Sequence, residues 1–366
     1  MERFPGSGIG DDAAELDIGW RKLLFASDAM VEGVHFRRET STLTQAAEKV
    51  VTSNVSDIYA MGGEPVGILL TAGLPHGTGE REIAAIVDGV ERACDFYDMV
   101  LLGGDTVRNP GGVFLDVAIV GSLQPGALAL TRKGASPGDR IVLFGWTGGS
   151  ATGRGILEWA AGISSGGGPV AGIVEGIDDP GVLLAAARDL RTGMGPEGIV
   201  RLAGDYGLDA DGSGETAGAA EVLALCARHL CPAARRVGAR ARPAGEEDGG
   251  GHGAANEGIT AMIDVSDGLA SDLRKLCAAS GVGAVIREED IPVPGMLAGA
   301  PGRGDLTALA LSSGEEYIAL AAFGGEAVPE GGSVIGEIVG IGEGLTIIGE
   351  GGERTELPES GYEHGF

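Results

Sequence analysis

Hydrophobic and polar positions follow two periodicities along the first third of the chain. Short apolar runs are typical of buried strands, whereas longer segments with helical spacing are typical of amphipathic helices. The predicted strands are 22–29, 66–75, 99–105 and 113–123, and the predicted helices are 42–62 and 80–98. Thr42 or Thr44 is expected to cap the first helix. Because strands and helices alternate, this region is predicted to be α/β or α+β.

A second unit follows the turn signal ASPGD. We therefore predict a domain boundary near residue 136, with an N-terminal domain at 1–136 and a C-terminal domain at 137–366. The elements predicted after this boundary are strands at 137–145, 259–267 and 284–289 and a helix at 268–281.

Glycine is the most unusual feature of the composition, with 68 residues among 366. The glycines cluster at 145–172, 245–258 and 324–352, which we expect to form loops. The stretches 160–215 and 241–258 are interpreted as Gly-rich insertions. The second is expected to be a surface loop, because it has no large apolar residue with which to form a core.

The formal net charge is −27. This charge argues against nucleic acid or an anionic membrane as a partner. The N-terminus has no apolar signal core, and no uncharged apolar run reaches the ~18 residues that indicate a membrane helix. A cytoplasmic location is therefore predicted.

Acidic residues recur in five short segments beside glycine or small polar residues. The segments are GIGDD (8–12), SDAMVEGVHF (27–36), NVSDIYAMGGEP (54–65), GGDTVR (103–108) and DVSDG (264–268). Three of them end an apolar run, which predicts that buried strands deliver carboxylates to one edge of a sheet. Two carboxylates 4 Å apart repel by ~4 kcal/mol at an effective dielectric of about 20. Oxygen ligands of this kind suit Mg²⁺, which usually serves substrate phosphates, so the pattern indicates a Mg²⁺–nucleotide enzyme.

Each segment alone has a structural alternative. DVSDG precedes a predicted helix, so its side chains either cap free backbone amides or use the same geometry on a phosphate or metal. His35 is either a structural histidine or part of the carboxylate-rich site. Arg132 and Lys133 are either solvated cations or ligands of a phosphate tail.

Other chemistries have little support in the sequence. GSGIG lacks the GK[ST] of a Walker A loop, GGSATGRG is a poor dinucleotide fingerprint, and no nucleophile–base pair is evident. Cys226 and Cys231 flank His229, but their spacing does not match a zinc site. Covalent and zinc-dependent catalysis are therefore not predicted.

Taken together and in this order, the motifs resemble the thiamine-monophosphate kinase family, within the superfamily of aminoimidazole ribonucleotide synthetase. The resemblance covers 8–158 and about 226–323, with a weaker trace in the terminal GYEHGF. Its segments include GIGDDAA, VEGVHF, VSDIYAMGGEP, GGDT, LTRKGASPGD, RHLCP, IDVSDGLASDL and LSSGEEY.

The resemblance implies an α+β, two-domain fold, with an N-terminal sheet domain that forms a dimer barrel and a C-terminal α/β sandwich domain. It implies a homodimer that phosphorylates thiamine monophosphate with ATP and several Mg²⁺ ions. The implied Mg²⁺ ligands are Asp12, Ser27, Asp28, Asp57, Asp105, Asp264 and Asp267. The implied ATP contacts are Gly104, Asp105, Arg132 and Ser266, and the implied thiamine-phosphate contacts are His35, Glu316 and Tyr362.

The chain departs from the family pattern at GEEY, where Glu316 stands in place of an aspartate. This change keeps open the alternative of a non-catalytic nucleotide-binding dimer. Another ATP-dependent member of the superfamily is a second alternative. No catalytic base is predicted, because a phosphate acceptor is already mostly dianionic near pH 7.

Overall fold

The computed structural model describes residues 10–164, 170, 173, 177, 179–192, 194, 196–208, 217–231, 258–298, 303–325 and 327–361. Tyr362 and most of the 241–258 segment lie outside these ranges, so the predictions made for them stay predictions. Among the described helices, none is long and apolar enough to cross a membrane.

The first sheet has five strands in the order β1-β2-β5-β3-β4. Its strands are β1 (Ala14–Asp17), β2 (Lys22–Val31), β3 (Glu64–Leu74), β4 (Val100–Arg108) and β5 (Phe114–Ser122). Two helices, α1 (Leu43–Ala60) and α2 (Glu80–Tyr97), complete this part of the chain. In β5, the alternate residues Leu115, Val117 and Ile119 are buried, as expected for a strand with one face on the core. The strands and helices predicted for this region are confirmed.

The predicted cap of α1 is also confirmed. The Thr42 hydroxyl accepts the Gln45 backbone N–H at 3.1 Å, and the Gln45 side-chain oxygen accepts the Thr42 N–H at 3.0 Å. These two bonds form a reciprocal capping box, which satisfies amides that a helix start leaves free.

Four of the described helices lie in sequence between the strands Arg140–Phe144 and Ile259–Asp264, which both belong to the second sheet. They are α3 (Gly149–Ala160), α4 (Pro180–Arg188), α5 (Pro196–Asp205) and α6 (Ala217–Leu230). They bury their own apolar cluster, which includes Leu157, Leu183, Ile199 and Leu223. The described part of 160–215 is therefore a helical, packed unit, although its sequence has only weak periodicity.

The second sheet has seven strands in the order β12-β11-β8-β10-β6-β9-β7. Its strands are β6 (Arg140–Phe144), β7 (Ile259–Asp264), β8 (Gly283–Arg287), β9 (Ala319–Phe323), β10 (Gly332–Val339), β11 (Leu345–Ile348) and β12 (Arg354–Glu356). Its helices are α7 (Leu269–Ser280), α8 (Gly295–Ala298) and α9 (Arg303–Ser312), with 3₁₀ turns at Glu288–Asp290 and Ile341–Glu343.

The expectation of loops is wrong for 145–172, which contains α3, and for 324–352, which contains β10 and β11. Gly336 in β10 shows the reason for one of its glycines. A Cβ atom there would lie 2.1 Å from the Val285 carbonyl oxygen of β8. Glycine at this position allows the two strands to approach closely. In the sequence alone, a glycine needed for such packing looks the same as a glycine in a loop.

Helix α1 joins the two halves of the molecule. Val50 and Val55 of α1 belong to one buried cluster with Val142 of β6 and Met262 of β7. The opposite face of the second sheet, with Ile141 and other residues, packs in a separate cluster with α7 and α9. The mixed, two-sheet architecture agrees with the predicted α+β class, and the proposed boundary near residue 136 falls between β5 and β6.

Candidate functional site

Three carboxylates from distant segments meet where the two halves of the molecule join. Asp12 precedes β1, Asp57 lies near the end of α1, and Asp264 is the last residue of β7. One oxygen of each lies within 4.8 Å of the others. This convergence corrects the expectation that strands deliver the carboxylates to one sheet edge. The group is instead built from both sheets and a helix, because α1 lies between them.

Hydroxyl groups orient Asp264. The Ser56 hydroxyl donates to its Oδ2 at 2.8 Å, and the Ser266 hydroxyl donates to its Oδ1 at 3.2 Å. Ser56 is adjacent to Asp57 on α1, so one helical turn both supplies a carboxylate and positions another. Asp264 is 2% exposed, which means that these bonds replace water.

Burial and mutual repulsion disfavour ionisation of the three carboxyl groups. Burial is the main cause that raises the pKa of Asp12 to about 6, while Arg132 opposes the shift. Burial, followed by neighbouring aspartates, also raises the pKa values of Asp57 and Asp264. A divalent cation would relieve this repulsion, and the all-oxygen donor set fits Mg²⁺.

Arg132 is the nearest counter-charge to this group. Its Nε and Nη2 lie 3.1 and 2.5 Å from Oδ1 of Asp12, and its Nη1 donates to the Gly10 carbonyl at 3.1 Å. Its backbone N–H also donates to Asp11 at 2.9 Å. The predicted ATP contact Arg132 is therefore next to the predicted metal ligand Asp12.

Asp28 lies on β2 beside this group, and burial raises its pKa, with Asp267 and Asp116 adding to the shift. Asn54 of α1 clamps the Asp28 backbone: its Oδ1 accepts the Asp28 N–H at 3.0 Å and its Nδ2 donates to the Asp28 carbonyl at 3.3 Å. Ser27 is exposed and donates to Asp116 at 3.1 Å.

The structure does not bring Asp105 to the three carboxylates. Asp28 on β2 and Gly104, next to Asp105 on β4, lie in register across the sheet, with β5 and β3 between them. Asp28 and Gly104 are therefore three strand spacings, or ~14 Å, apart. One Mg²⁺ ion, with bonds to oxygen of ~2.1 Å, does not bridge that distance. Gly104 also has a packing role, because a Cβ there would lie 1.9 Å from the Leu70 carbonyl oxygen.

The DVSDG segment is held by a residue that sequence reasoning missed. Oδ2 of Asp272 accepts the backbone N–H groups of Ser266, Asp267 and Gly268 at 3.0, 3.0 and 3.1 Å. Lys275 pairs with both Asp272 and Asp267. The available signal was an aspartate in the first turn of the predicted helix. Asp272 therefore holds the backbone that leads into α7, and no side-chain cap of this helix is formed by its N-cap residue, Gly268.

The residues predicted to bind thiamine phosphate lie in different surroundings. Nδ1 of His35 accepts the Val31 N–H at 3.0 Å. Glu316 is 1% exposed and accepts the Ser150 N–H at 2.9 Å and the Ser313 hydroxyl at 2.6 Å. It also pairs with Arg228 at 3.3 Å. A substrate contact by Glu316 would have to replace one of these partners.

Comparison with known proteins agrees with this fold. Residues 10–123 match the family model "AIR synthase related protein, N-terminal domain", and residues 251–343 match the corresponding C-terminal domain. The matched N-terminal domain contains Asp12 and Asp57, and the matched C-terminal domain contains Asp264. Fold and site thus define a two-domain protein of the AIR synthase related class.

Within this class, the chain belongs to the thiamine-monophosphate kinase family. It is 30% identical over 313 residues to the thiamine-monophosphate kinase of Salmonella typhimurium, covering 85% of this chain and 74% of that protein. It is 29% identical to the Escherichia coli kinase over 373 residues, covering 98% and 91%. The structure "AaThiL complexed with AMPPCP and TMP" has the same fold, with a TM-score of 0.67, 24% identity and coverage of 97% and 91%.

Proposed function

We propose that this chain transfers the γ-phosphoryl group of ATP to thiamine monophosphate, forming thiamine diphosphate and ADP. Family membership supports the reaction, and the relative crystallised with AMPPCP and TMP supports the substrate pair. The observation that carries the proposal is the meeting of Asp12, Asp57 and Asp264 within 4.8 Å. Such a group suits a Mg²⁺ site for phosphoryl transfer.

The acceptor is a phosphate oxygen, which needs no general base near pH 7 because a monophosphate is mostly dianionic there. The main barrier is the approach of two anions in line. Mg²⁺, when bound, supplies charge neutralisation and orientation of the phosphates. The residues of the chain then need only bind the cation and orient the phosphates of the two substrates. A site made of carboxylates and Arg132 agrees with this role.

Among the metal-binding residues, we propose that Asp12, Asp57 and Asp264 hold one Mg²⁺ and that Asp28 and Asp267 extend the site. Ser27 is retained as a further ligand. Arg132, which pairs with Asp12, is proposed to contact a phosphate of ATP, because its guanidinium matches phosphate geometry. Ser266 and Gly104 are the other proposed ATP contacts. His35, Glu316 and Tyr362 remain the proposed acceptor contacts.

We also propose that the active form is a homodimer that pairs through the outer face of the first sheet. Phe25, Leu69 and Leu102 are 41%, 49% and 58% exposed there. Every residue of the edge strand β4 is exposed. Long apolar edge strands are usually covered in native proteins. Asp105 lies on this strand, so we place its contribution at the dimer-facing side rather than with Asp12.

The proposed reaction is tested by incubating the protein with ATP, Mg²⁺ and thiamine monophosphate and measuring products by phosphorus NMR. We expect thiamine diphosphate, and no product from unphosphorylated thiamine. Asp57→Asn should lower turnover by about 100-fold or more, because a neutral amide is a poor ligand for Mg²⁺. The exposed Asp205→Asn serves as a matched control with near-normal turnover. A folded wild-type protein without product would refute the kinase assignment.

A further inference from the structure

A second charged cluster lies away from the carboxylate site and joins three elements. Nζ of Lys49 in α1 is 2.6 Å from Oε2 of Glu315, which precedes β9. Nδ1 of His229 in α6 is 3.3 Å from the same oxygen. The side chains of Lys49 and His229 are only 3% and 6% exposed. We call Lys49, Glu315 and His229 the Lys49 cluster.

The charges in this cluster depend on one another. Burial opposes ionisation of Glu315, but Lys49 and His229 overcome it and hold its pKa below the ordinary value. Burial, followed by the Lys49 charge, lowers the pKa of His229 to about 4, so the imidazole is neutral near pH 7. Loss of the Glu315 charge would leave the buried Lys49 without its partner, and loss of the Lys49 charge would leave the half-buried Glu315 beside a neutral imidazole; both are unfavourable.

The backbone that carries Glu315 is strained. Glu315 and Tyr317 have φ values of +58° and +48°, and in the described part of the chain only Asp98 shares this property among non-glycine residues. Such conformations cost ~1–3 kcal/mol each and persist where the surroundings hold them, often at functional sites. The ion pairs of Glu315 are one part of those surroundings.

The strained segment is bonded directly to the DVSDG backbone. The Glu315 N–H donates to the Ser266 carbonyl at 2.7 Å, and the Tyr317 N–H donates to the Val265 carbonyl at 2.9 Å. Val265 and Ser266 directly follow Asp264. On the other side, Lys49 and Asp57 belong to the same helix, about two turns or ~12 Å apart. The Lys49 cluster thus links the element carrying Asp57 to the segment carrying Asp264.

We propose that Lys49 is a positioning residue that, through Glu315, sets the distance between α1 and the 264–268 segment so that Asp57 and Asp264 bind one cation together. This inference rests on the proposed metal site and is independent of the identity of the phosphate acceptor. Lys49 lies about two helical turns from Asp57, so it acts through Glu315 rather than as a metal ligand. Its role resembles that of outer residues that orient metal ligands, whose loss typically weakens metal binding ~10–100-fold.

The test measures Mn²⁺ binding to the purified chain by electron paramagnetic resonance, with no nucleotide present. Lys49→Met keeps the length of the side chain and removes its charge. Removal of a positive charge alone would tighten binding of a divalent cation. Loss of the positioning contact would instead weaken Mn²⁺ binding, and we expect the dissociation constant to rise about 10-fold or more. Lys22→Met, in the exposed Lys22–Glu15 pair, is the matched control and should not weaken binding.

A double variant, Lys49→Met with Glu315→Gln, separates positioning from stability. It has no unpaired buried charge, so its melting temperature should recover relative to Lys49→Met. It still lacks the link between the two elements, so its Mn²⁺ affinity should stay weak. Recovery of both properties, or a normal affinity in Lys49→Met, would overturn the positioning role. Absence of Mn²⁺ binding by the wild-type protein would instead refute the metal site, and this proposal with it.

Discussion

At the scale of single residues, the site consists of buried carboxylates. Their hydrogen bonds and ion pairs offset only part of the cost of removing the charged groups from water. Arg132 pairs with Asp12, and hydroxyl groups bond Asp264, but Asp57 is surrounded mainly by other acids. Raised pKa values are the result, because burial and like charges both favour the neutral form. The same features make this group responsive to pH and to divalent cations.

The pKa of Asp12, raised to about 6, leads to a prediction about metal binding. Below about pH 6 the folded protein keeps a proton on Asp12, and this proton must leave before the carboxylate binds Mg²⁺. Mg²⁺ affinity should therefore rise as the pH increases from about 5 to about 7, by up to about tenfold per unit below pH 6 for the Asp12 proton, and the raised pKa values of Asp57 and Asp264 add to this dependence. The half-saturating Mg²⁺ concentration in thermal melts measures this. Asp12→Asn should show a shallower dependence, and a flat wild-type profile would contradict the assignment.

At the scale of elements, α1 has the largest role. It carries Asp57, clamps Asp28 through Asn54, pairs with Glu315 through Lys49 and packs on both sheets. Its first turn also contacts the unit of helices α3 to α6. Nε2 of Gln45 donates to the carbonyls of Ala187, Arg188 and Leu190 at 2.8, 3.3 and 3.2 Å. Ala187 and Arg188 belong to the last turn of α4 and Leu190 follows it, so Gln45 ties the end of this helix to α1.

Gln45→Ala should therefore destabilise the protein by about 1–3 kcal/mol, because it removes the amide that donates to three carbonyls near the end of α4 and removes half of the capping box. Urea unfolding followed by circular dichroism measures the change. Gln124→Ala, at an exposed position after β5, is the matched control and should change stability by no more than about 0.5 kcal/mol. Equal effects of the two substitutions would show that the Gln45 contacts do not hold α4.

At the scale of the whole molecule, the exposed apolar face of the first sheet contrasts with an otherwise acidic chain of net charge −27. Val100, Leu101 and Leu102 are consecutive and more than 40% exposed in the edge strand β4. A second copy of the chain is the occupant we propose for this face. Two like-charged protomers would then associate through the uncharged part of their surfaces.

Leu102→Glu should convert the proposed dimer to a monomer, because it places a charge within the apolar interface. Sedimentation velocity would show the mass falling by half at micromolar concentration. Val200→Glu is the matched control, since Val200 is 54% exposed on α5, away from the first sheet. A monomeric wild-type protein, or a Leu102→Glu variant that remains dimeric, would contradict pairing through this face.

Local patterns in the sequence determined much of the fold and the identity of the family. Runs such as KLLFASD and ITAMID predict strands, the 42–62 segment predicts α1 with its Thr42 cap, and the ordered aspartate motifs indicate the kinase family. These features depend on neighbouring residues, so the chain itself displays them. The prediction failed in glycine-rich stretches, because a glycine that allows close packing, such as Gly336, cannot be distinguished in the sequence from a glycine in a loop.

Only the tertiary structure decided which of the predicted residues meet. Ser56 bonds Asp264 across 208 residues of sequence, whereas Asp105, which shares the same motif chemistry, lies on an exposed strand away from both. No role was predicted from the sequence for Asp272 or for the Lys49 cluster, and their contacts alone indicate what they do. Spacing along the chain gives the local periodicity of side chains, but distances between elements depend on how both sheets pack around α1.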